Sequence, residues 1–204
     1  MNPSLFLNAA AIGLAIAAPV GPMSLLCMRR TLAAGWRTGI ATGLGIATGD
    51  SCFALVAGLG LAGVQRFMLA HDQALHLVGG LVLLYLGIKT MRTAGQGRER
   101  GGTQAASAAA SYASAVGLTL TNPPTIILFA AVFAALTPAQ GFGPGTALLT
   151  VAGVFTGSIA WWLGLTTLLA TLRGALGPRL RTWIDRLAGA ALALFGLSEL
   201  RRAV

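Results

Sequence analysis

Six long apolar runs, separated by short stretches rich in arginine and glycine, constrain this chain more than any other feature. A helix needs about 20 apolar residues to cross the hydrocarbon core of a bilayer. Only 9% of the residues are charged, against roughly 25% in soluble domains, so a soluble fold would lack a polar surface. The pattern predicts an all-α integral membrane protein, one membrane domain over residues 1–204. Its transmembrane helices, about six, are predicted at 4–28, 38–64, 73–91, 112–136, 145–171 and 181–200.

Lysine and arginine fall mostly in the odd-numbered connections between these spans. Cytoplasmic loops carry the excess of cations, so both termini are predicted outside the cytoplasm (N-out/C-out), with the first run retained as a helix. The net charge of +9 is therefore interpreted as a topology signal and not as a nucleic-acid surface. Eleven of the fourteen cations lie on the predicted cytoplasmic face: Arg29, Arg30, Arg37, Lys89, Arg92, Arg98, Arg100, Arg173, Arg179, Arg181 and Arg186; Arg66, Arg201 and Arg202 lie on the other.

Short motifs recur at a nearly constant spacing. Residues 45–50 resemble 153–158 at an offset of 108, and residues 80–87 resemble 189–196 at an offset of 109. Two halves of three helices each must insert with opposite orientations, so the spacing predicts a 3+3 inverted repeat. The predicted halves are residues 1–102 and 103–204, and a polar, glycine-rich cytoplasmic linker is predicted at about 93–111.

Prolines interrupt the first and fourth predicted helices at matching places. Pro19 and Pro22 lie in the first helix, and Pro123 and Pro124 follow Asn122 in the fourth. A proline inside a helix removes one N–H donor and leaves a carbonyl unpaired, which lipid does not tolerate unless protein or water covers it. Paired breaks of this kind are typical of the central site of a secondary transporter, where carbonyls and helix N-termini contact substrate. The Asn122 amide is a further candidate ligand.

Asp50 is predicted to be the one deeply placed acid. If the second span starts near residue 38, Asp50 lies roughly 18 Å along a core about 30 Å thick. The other acids, Asp72, Glu99, Asp185 and Glu199, are predicted in connections or at helix ends. Acids inside membranes usually serve function, so Asp50 is predicted to couple protons or to bind an amine. The alternative is a hydrogen bond to a serine or threonine on a neighbouring helix.

Other polar and aromatic residues receive simpler interpretations. His71 and His76 are predicted near the outer surface and are assigned no site, because neither has the cysteine or acid spacing of a metal ligand. Trp161 and Trp162 are predicted to pack in the core. No cofactor, metal site or enzymatic nucleophile–base pair is predicted. The glycines of the second and fifth spans predict close helix packing, and such faces could also serve a homodimer.

The order of these motifs resembles that of the lysine-exporter-type (LysE/RhtB) translocators. The stretch 18–35, the glycines leading to Asp50, the stretch 83–90 and the Asn122-Pro123 pair carry the resemblance. It implies a bacterial inner-membrane exporter of amino acids or related small polar metabolites, driven by proton antiport. The functional positions that it implies are Pro19, Gly21, Pro22, Asp50, Asn122 and Pro123. Val20 interrupts the Pro-Gly-Pro common in the family, and Pro124 stands where many members have lysine.

Two other function classes stay open at this point. Cys27 and Cys52 would allow a thiol-redox membrane protein, although they form no Cys-x-x-Cys motif and both lie in one half. A passive channel would conduct without any titration of Asp50. The partners predicted for the favoured exporter are a small-molecule substrate, protons and the lipid bilayer, with no nucleic acid.

Overall fold

The computed structural model describes residues 3–19, 21–58, 70–94, 107–122, 125–126, 128–129 and 143–203. All regular structure in these ranges is helical. Seven helices are described: α1 (Pro3–Ala17), α2 (Pro22–Ala34), α3 (Trp36–Gly58), α4 (Asp72–Thr93), α5 (Ala108–Leu120), α6 (Pro144–Leu172) and α7 (Pro178–Arg202). Pro123, the connection that holds Arg66 and most of the predicted linker at 93–111 lie outside the described residues.

Several described helices have the length and composition of membrane spans. Three helices qualify singly, namely Trp36–Gly58, Gln73–Thr93 and Pro144–Leu172. The pair α1 and α2 qualifies as a fourth span if the two helices are counted together. Helices α3, α4, α6 and α7 begin within a few residues of the starts of the predicted spans. A long apolar run predicts the presence of a helix more reliably than it predicts the residues at which the helix begins and ends. The total of six spans remains a prediction.

The first predicted span is broken where its prolines lie. Helices α1 and α2 are inclined to each other by 79°, and Pro22 occupies the first turn of α2, where a proline needs no hydrogen-bond partner. Helix α2 continues to Ala34, so the assignment of Arg29 and Arg30 to a loop is wrong: both lie within the helix. The chain then turns at Gly35, whose φ of +94° favours glycine, and α3 begins at Trp36.

The helices pack in pairs that bury two apolar clusters. Helix α3 packs between α5 and α6, α1 packs on α6, and α4 packs on α7. One cluster centres on Leu26, Ile46 and Trp162, and the other on Phe53 and Phe129. Trp162 is 1% exposed, which confirms its predicted place in the core.

Glycines allow these helix pairs to approach closely, as the sequence predicts. A Cβ atom added at Gly49 would lie 2.6 Å from Thr119 Cγ2 on α5, and one at Gly153 would lie 2.6 Å from Ala9 Cβ on α1. A Cβ at Gly157 would overlap the backbone carbonyl of Ala10. Close approach through small residues is a main source of helix association in lipid, where helices gain nothing from leaving water.

Candidate functional site

The break between α1 and α2 presents a helix N-terminus and a backbone carbonyl beside it. Gly21 is the N-cap of α2 in an extended conformation, and its carbonyl accepts a hydrogen bond from Leu25 N at 3.0 Å. Pro19 is exposed, and its carbonyl accepts a hydrogen bond from Ser24 Oγ at 2.9 Å. The carbonyl of Pro19, which lies in the break, is therefore satisfied by a side chain of the next helix, as an interrupted helix in a membrane requires.

A second break follows α5 at Asn122. The Asn122 carbonyl accepts hydrogen bonds from Thr125 N at 3.0 Å and Ile126 N at 3.2 Å, which starts a new helical turn. Its side-chain Nδ2 donates to Thr125 Oγ1 at 2.8 Å. Asn122 thus lies at the N-terminus of the next helical segment, as Gly21 does for α2. The two predicted breaks are both present, although Pro123 itself is outside the described residues.

A cavity joins the two breaks. Its volume is about 10 Å³, near the smallest size that holds one water molecule. Pro22 from one predicted half and Asn122 from the other both line it. The described residues that line it, from four helices and the stretch after α5, are Pro22, Met23, Gly79, Leu83, Leu118, Thr121, Asn122 and Glu199. We call this space the Pro22–Asn122 cavity.

Asp50 is buried but belongs to another part of the molecule's interior. It is 3% exposed, and its Oδ2 accepts a hydrogen bond from Ser158 Oγ on α6 at 2.8 Å. Ser158 is the residue that aligns with Asp50 in the second predicted half. Asp50 is absent from the described lining of the Pro22–Asn122 cavity. Of the predicted site residues, the structure brings Pro22 and Asn122 together at the cavity and places Asp50 at the contact between α3 and α6.

A second acid is buried in the protein interior besides Asp50, whose depth in the bilayer stays a prediction. Glu199 is also 3% exposed, although it lies in the last turns of α7. His76 on α4 is also buried, at 7% exposed, and its predicted position near the outer membrane surface stays a prediction. His76 Nδ1 and Glu199 Oε2 are 2.5 Å apart, and Glu199 lines the Pro22–Asn122 cavity. Position along a helix places both residues near its ends, but burial depends on which helices pack together.

The predicted repeat contained a signal that could have found this pair. Gly80 packs against Gly196, and Gly87 packs against Gly189, so the residue numbers across this antiparallel contact sum to a constant. The same relation pairs residue 76 with residue 200, and Glu199 is the neighbour of residue 200 in the chain. An antiparallel pairing of the two glycine motifs therefore predicts that His76 lies beside Glu199.

The remaining polar candidates have structural partners. Thr48 Oγ1 donates to the carbonyl of Leu44 at 2.9 Å, a back-bond within its own helix. The two cysteines are both free; Cys27 is buried and Cys52 is exposed. Among the described residues, no group of three or more His, Cys, Asp or Glu side chains could hold a metal ion.

Comparison with known proteins identifies the family. The family model described as LysE type translocator matches residues 14–202. The chain belongs to this family. It is therefore a membrane transport protein and not an enzyme, and the resemblance drawn from its motifs is confirmed. No solved structure matches it significantly.

Individual relatives of this LysE-type translocator are bacterial. It is 26% identical to a putative amino acid efflux protein YcgF of Bacillus subtilis, over 95% of this chain and 93% of that protein. It is 31% identical to an uncharacterized membrane protein YahN of Escherichia coli, over 87% of this chain and 80% of that protein. It is 30% identical to a threonine efflux protein of Salmonella typhi, over 76% of this chain and 77% of that protein.

Proposed function

We propose that this translocator exports an amino acid or a related small polar metabolite across the bacterial inner membrane in exchange for protons. The observation that carries the proposal is the cavity at which two interrupted helices, one from each predicted half, meet. Interrupted helices in corresponding positions are the usual framework of a transporter's substrate site. The relatives named as efflux proteins for amino acids, one of them for threonine, favour this substrate class.

The proposed substrate site uses backbone groups more than charged side chains. Helix N-termini carry a partial positive charge and unpaired N–H groups, which bind carboxylates. We assign the substrate carboxylate to the terminus after Gly21, with Pro19, Gly21, Pro22, Asn122 and Pro123 shaping the site. The terminus after Asn122 contributes its partial positive charge alone, because Pro123 and Pro124 carry no N–H group and the N–H groups of Thr125 and Ile126 are bonded to the Asn122 carbonyl. The cavity is smaller than an amino acid in this conformation, so α2 and the segment after Asn122 must separate to admit one.

Asp50 is proposed as the proton-coupling group. A carboxyl buried at a helix contact can change its charge only if a proton or a cation accompanies it, because an unpaired charge is costly there. Ser158 Oγ donates to one carboxylate oxygen and can also accept a hydrogen bond from a protonated carboxyl. Loading and release of the proton would thus change the contact between α3 and α6. One of these helices belongs to each proposed half.

Reciprocal contacts support an inverted repeat. A Cβ at Gly80 would lie 2.9 Å from Gly196 O, and one at Gly189 would lie 2.9 Å from Gly87 O. The second contact is the first one carried over by the repeat offset of 109. Asp50 and Ser158 likewise occupy equivalent positions and contact each other, as residues beside a pseudo-twofold axis do.

The contacts between whole helices are also preserved when the two proposed halves are exchanged. Exchanging the proposed halves pairs α1 with α5, α3 with α6 and α4 with α7. The contact of α1 with α6 then becomes that of α5 with α3, and both occur. The contacts of α3 with α6 and of α4 with α7 are unchanged by the exchange. This arrangement supports six spans in a 3+3 inverted repeat.

Contacts between helix ends support the proposed orientation. Arg173 Nη2, after α6, donates to the carbonyl of Ala33 at 3.1 Å, which places the first and fifth connections together. Arg30 Nη1 donates to the carbonyl of Ser111 near the start of α5 at 3.0 Å, so the end of the third connection lies at the same face. Cations concentrated at one face favour its cytoplasmic location.

A reporter at the C-terminus tests the N-out/C-out orientation. We expect alkaline phosphatase fused after residue 204 to be active, because it folds only outside the cytoplasm, and the same enzyme inserted at residue 98 to be inactive. A fluorescent protein that matures only in the cytoplasm should give the opposite pattern at the two positions. Phosphatase activity at residue 98 combined with fluorescence at residue 204 would reverse the proposed orientation.

Export from cells tests the proposed function. Cells that express the chain are loaded with a dipeptide that contains threonine, and peptidases then raise internal threonine. We expect faster threonine release than from cells that carry the empty vector, and a protonophore should abolish the difference. The same assay with alanine, lysine and homoserine dipeptides defines specificity. Release equal to that of the empty vector for every dipeptide would contradict amino-acid export.

A further inference from the structure

His76 and Glu199 form a buried, hydrogen-bonded pair that the proposed mechanism does not use. The side chains of the two residues are 9% and 4% exposed. A buried carboxylate is costly unless it is paired, and pairing seldom makes it more stabilising than an apolar contact. Helices α4 and α7 already pack through Gly80, Gly87 and their partners. Helix packing alone therefore does not explain the pair.

We propose that Glu199 binds the ammonium group of the substrate in the Pro22–Asn122 cavity and that His76 positions its carboxylate. This assignment rests on the proposed function, since it concerns the same cavity. Glu199 is the acidic residue in the described lining of the cavity. The helix N-termini at Pro22 and Asn122 line the same cavity and offer partial positive charge, so the cavity presents the two complementary poles that an α-amino acid requires.

The geometry leaves one carboxylate oxygen available to a ligand. Glu199 Oε2 is engaged by His76 Nδ1 at 2.5 Å. Glu199 Oε1 lies 3.7 Å from Arg202 Nη1, which is beyond hydrogen-bond distance. The Arg202 side chain is 59% exposed, so it can remain solvated when an ammonium group takes its place beside Oε1.

His76 has the chemistry of a positioning residue. A neutral imidazole with its proton on Nδ1 donates one hydrogen bond to the carboxylate and leaves the pair with a net negative charge. That charge is needed to attract an ammonium group. Among the described residues, the charged and titratable groups in contact with Glu199 are His76 from α4 and Arg202 from α7, while α2 contributes Pro22 and Met23 and the end of α5 contributes Asn122.

Deaminated substrates test the proposal on the native chain. Transport of labelled threonine into reconstituted vesicles is measured with competing unlabelled threonine or 3-hydroxybutanoate, which is threonine without its amine. We expect strong competition from threonine and none from 3-hydroxybutanoate at the same concentration. Equal competition by the two compounds would overturn the ammonium assignment without affecting the proposed function. If the native vesicles transport no amino acid, both the assignment and the proposed function fail.

Substitution of Glu199 gives the second test. Glu199→Gln should raise KM for the transported amino acid roughly 10- to 100-fold, the effect of losing a charge-assisted hydrogen bond, with little change in maximal rate. His76→Gln should raise KM less, because the carboxylate remains. Asp185→Asn is the matched control, since it removes the other acid of α7, which is absent from the described lining of the cavity.

A purely structural pair would give a different result. Both Glu199→Gln and His76→Gln would then lower the amount of inserted protein and its thermal stability while leaving KM unchanged, which would overturn the proposal. Glu199→Asp provides the comparison if the amide variant inserts poorly. This variant keeps the charge and should keep the discrimination against 3-hydroxybutanoate, and loss of that discrimination would contradict the assignment.

Discussion

Replacing Asp50 with asparagine is expected to reduce proton-driven transport to the level of protein-free vesicles. The amide has nearly the same shape as the carboxyl and can still accept a hydrogen bond from Ser158 Oγ, so the contact between α3 and α6 should persist. The amide cannot bind or release a proton at physiological pH. Exchange of labelled for unlabelled substrate, which needs no net proton movement, should continue. Both rates are measured in the same reconstituted vesicles.

The control for Asp50→Asn is Ser158→Ala, which removes the hydrogen-bond partner and keeps the carboxyl. This variant should remain coupled to the pH gradient, with a loss of stability of about 0.6–2 kcal/mol, typical of hydrogen bonds between membrane helices. Asp50 would be a packing residue if Asp50→Asn transported and coupled like the native chain. The coupling group would then have to be sought at the Pro22–Asn122 cavity.

Replacing Gly157 with alanine should separate α1 from α6. The added Cβ would overlap the carbonyl of Ala10, and a backbone group cannot rotate away as a flexible side chain can. Overpacking costs typically about 1–3 kcal/mol, so we expect the apparent melting temperature of the detergent-purified protein to fall by roughly 5–10 °C. Thermal unfolding followed by gel filtration measures the change.

Gly164 on the same helix provides the matched control for Gly157. A Cβ at Gly164 meets no atom within 4 Å among the described residues. Gly164→Ala should therefore unfold at the same temperature as the native chain or slightly above it, because alanine favours the helix over glycine. Equal melting temperatures for Gly157→Ala and Gly164→Ala would show that α1 does not pack against α6 as described.

The sequence predicted the elements that depend on local chemistry. Apolar runs determine where helices can lie in a membrane, so α3, α4, α6 and α7 begin close to their predicted positions. The interruption at Pro19 and Pro22 follows from the missing donor and the steric demand of proline. The new helical turn at Asn122 lies at the second predicted break.

Features that depend on helix pairing could not be read from local chemistry. Arg29 and Arg30 look like loop residues, but Arg30 can remain in α2 because Ser111 and Ser114 of α5 accept its hydrogen bonds. Glu199 and His76 both lie near helix ends, and their burial becomes apparent only when α4 and α7 are placed side by side. The separation of Asp50 from the cavity likewise depends on the rotation of α3 against α6, which its apolar, glycine-rich sequence does not specify.

Proton movement during substrate transport tests the central claim most directly. Purified protein is reconstituted into vesicles that hold a trapped pH-sensitive dye, with no initial pH gradient, and threonine or another amino acid of the panel is added outside. The account predicts that labelled substrate enters while the internal pH rises, because each substrate taken in is exchanged for protons that leave. Uptake of the label with no change of internal pH would contradict antiport and would indicate a passive channel.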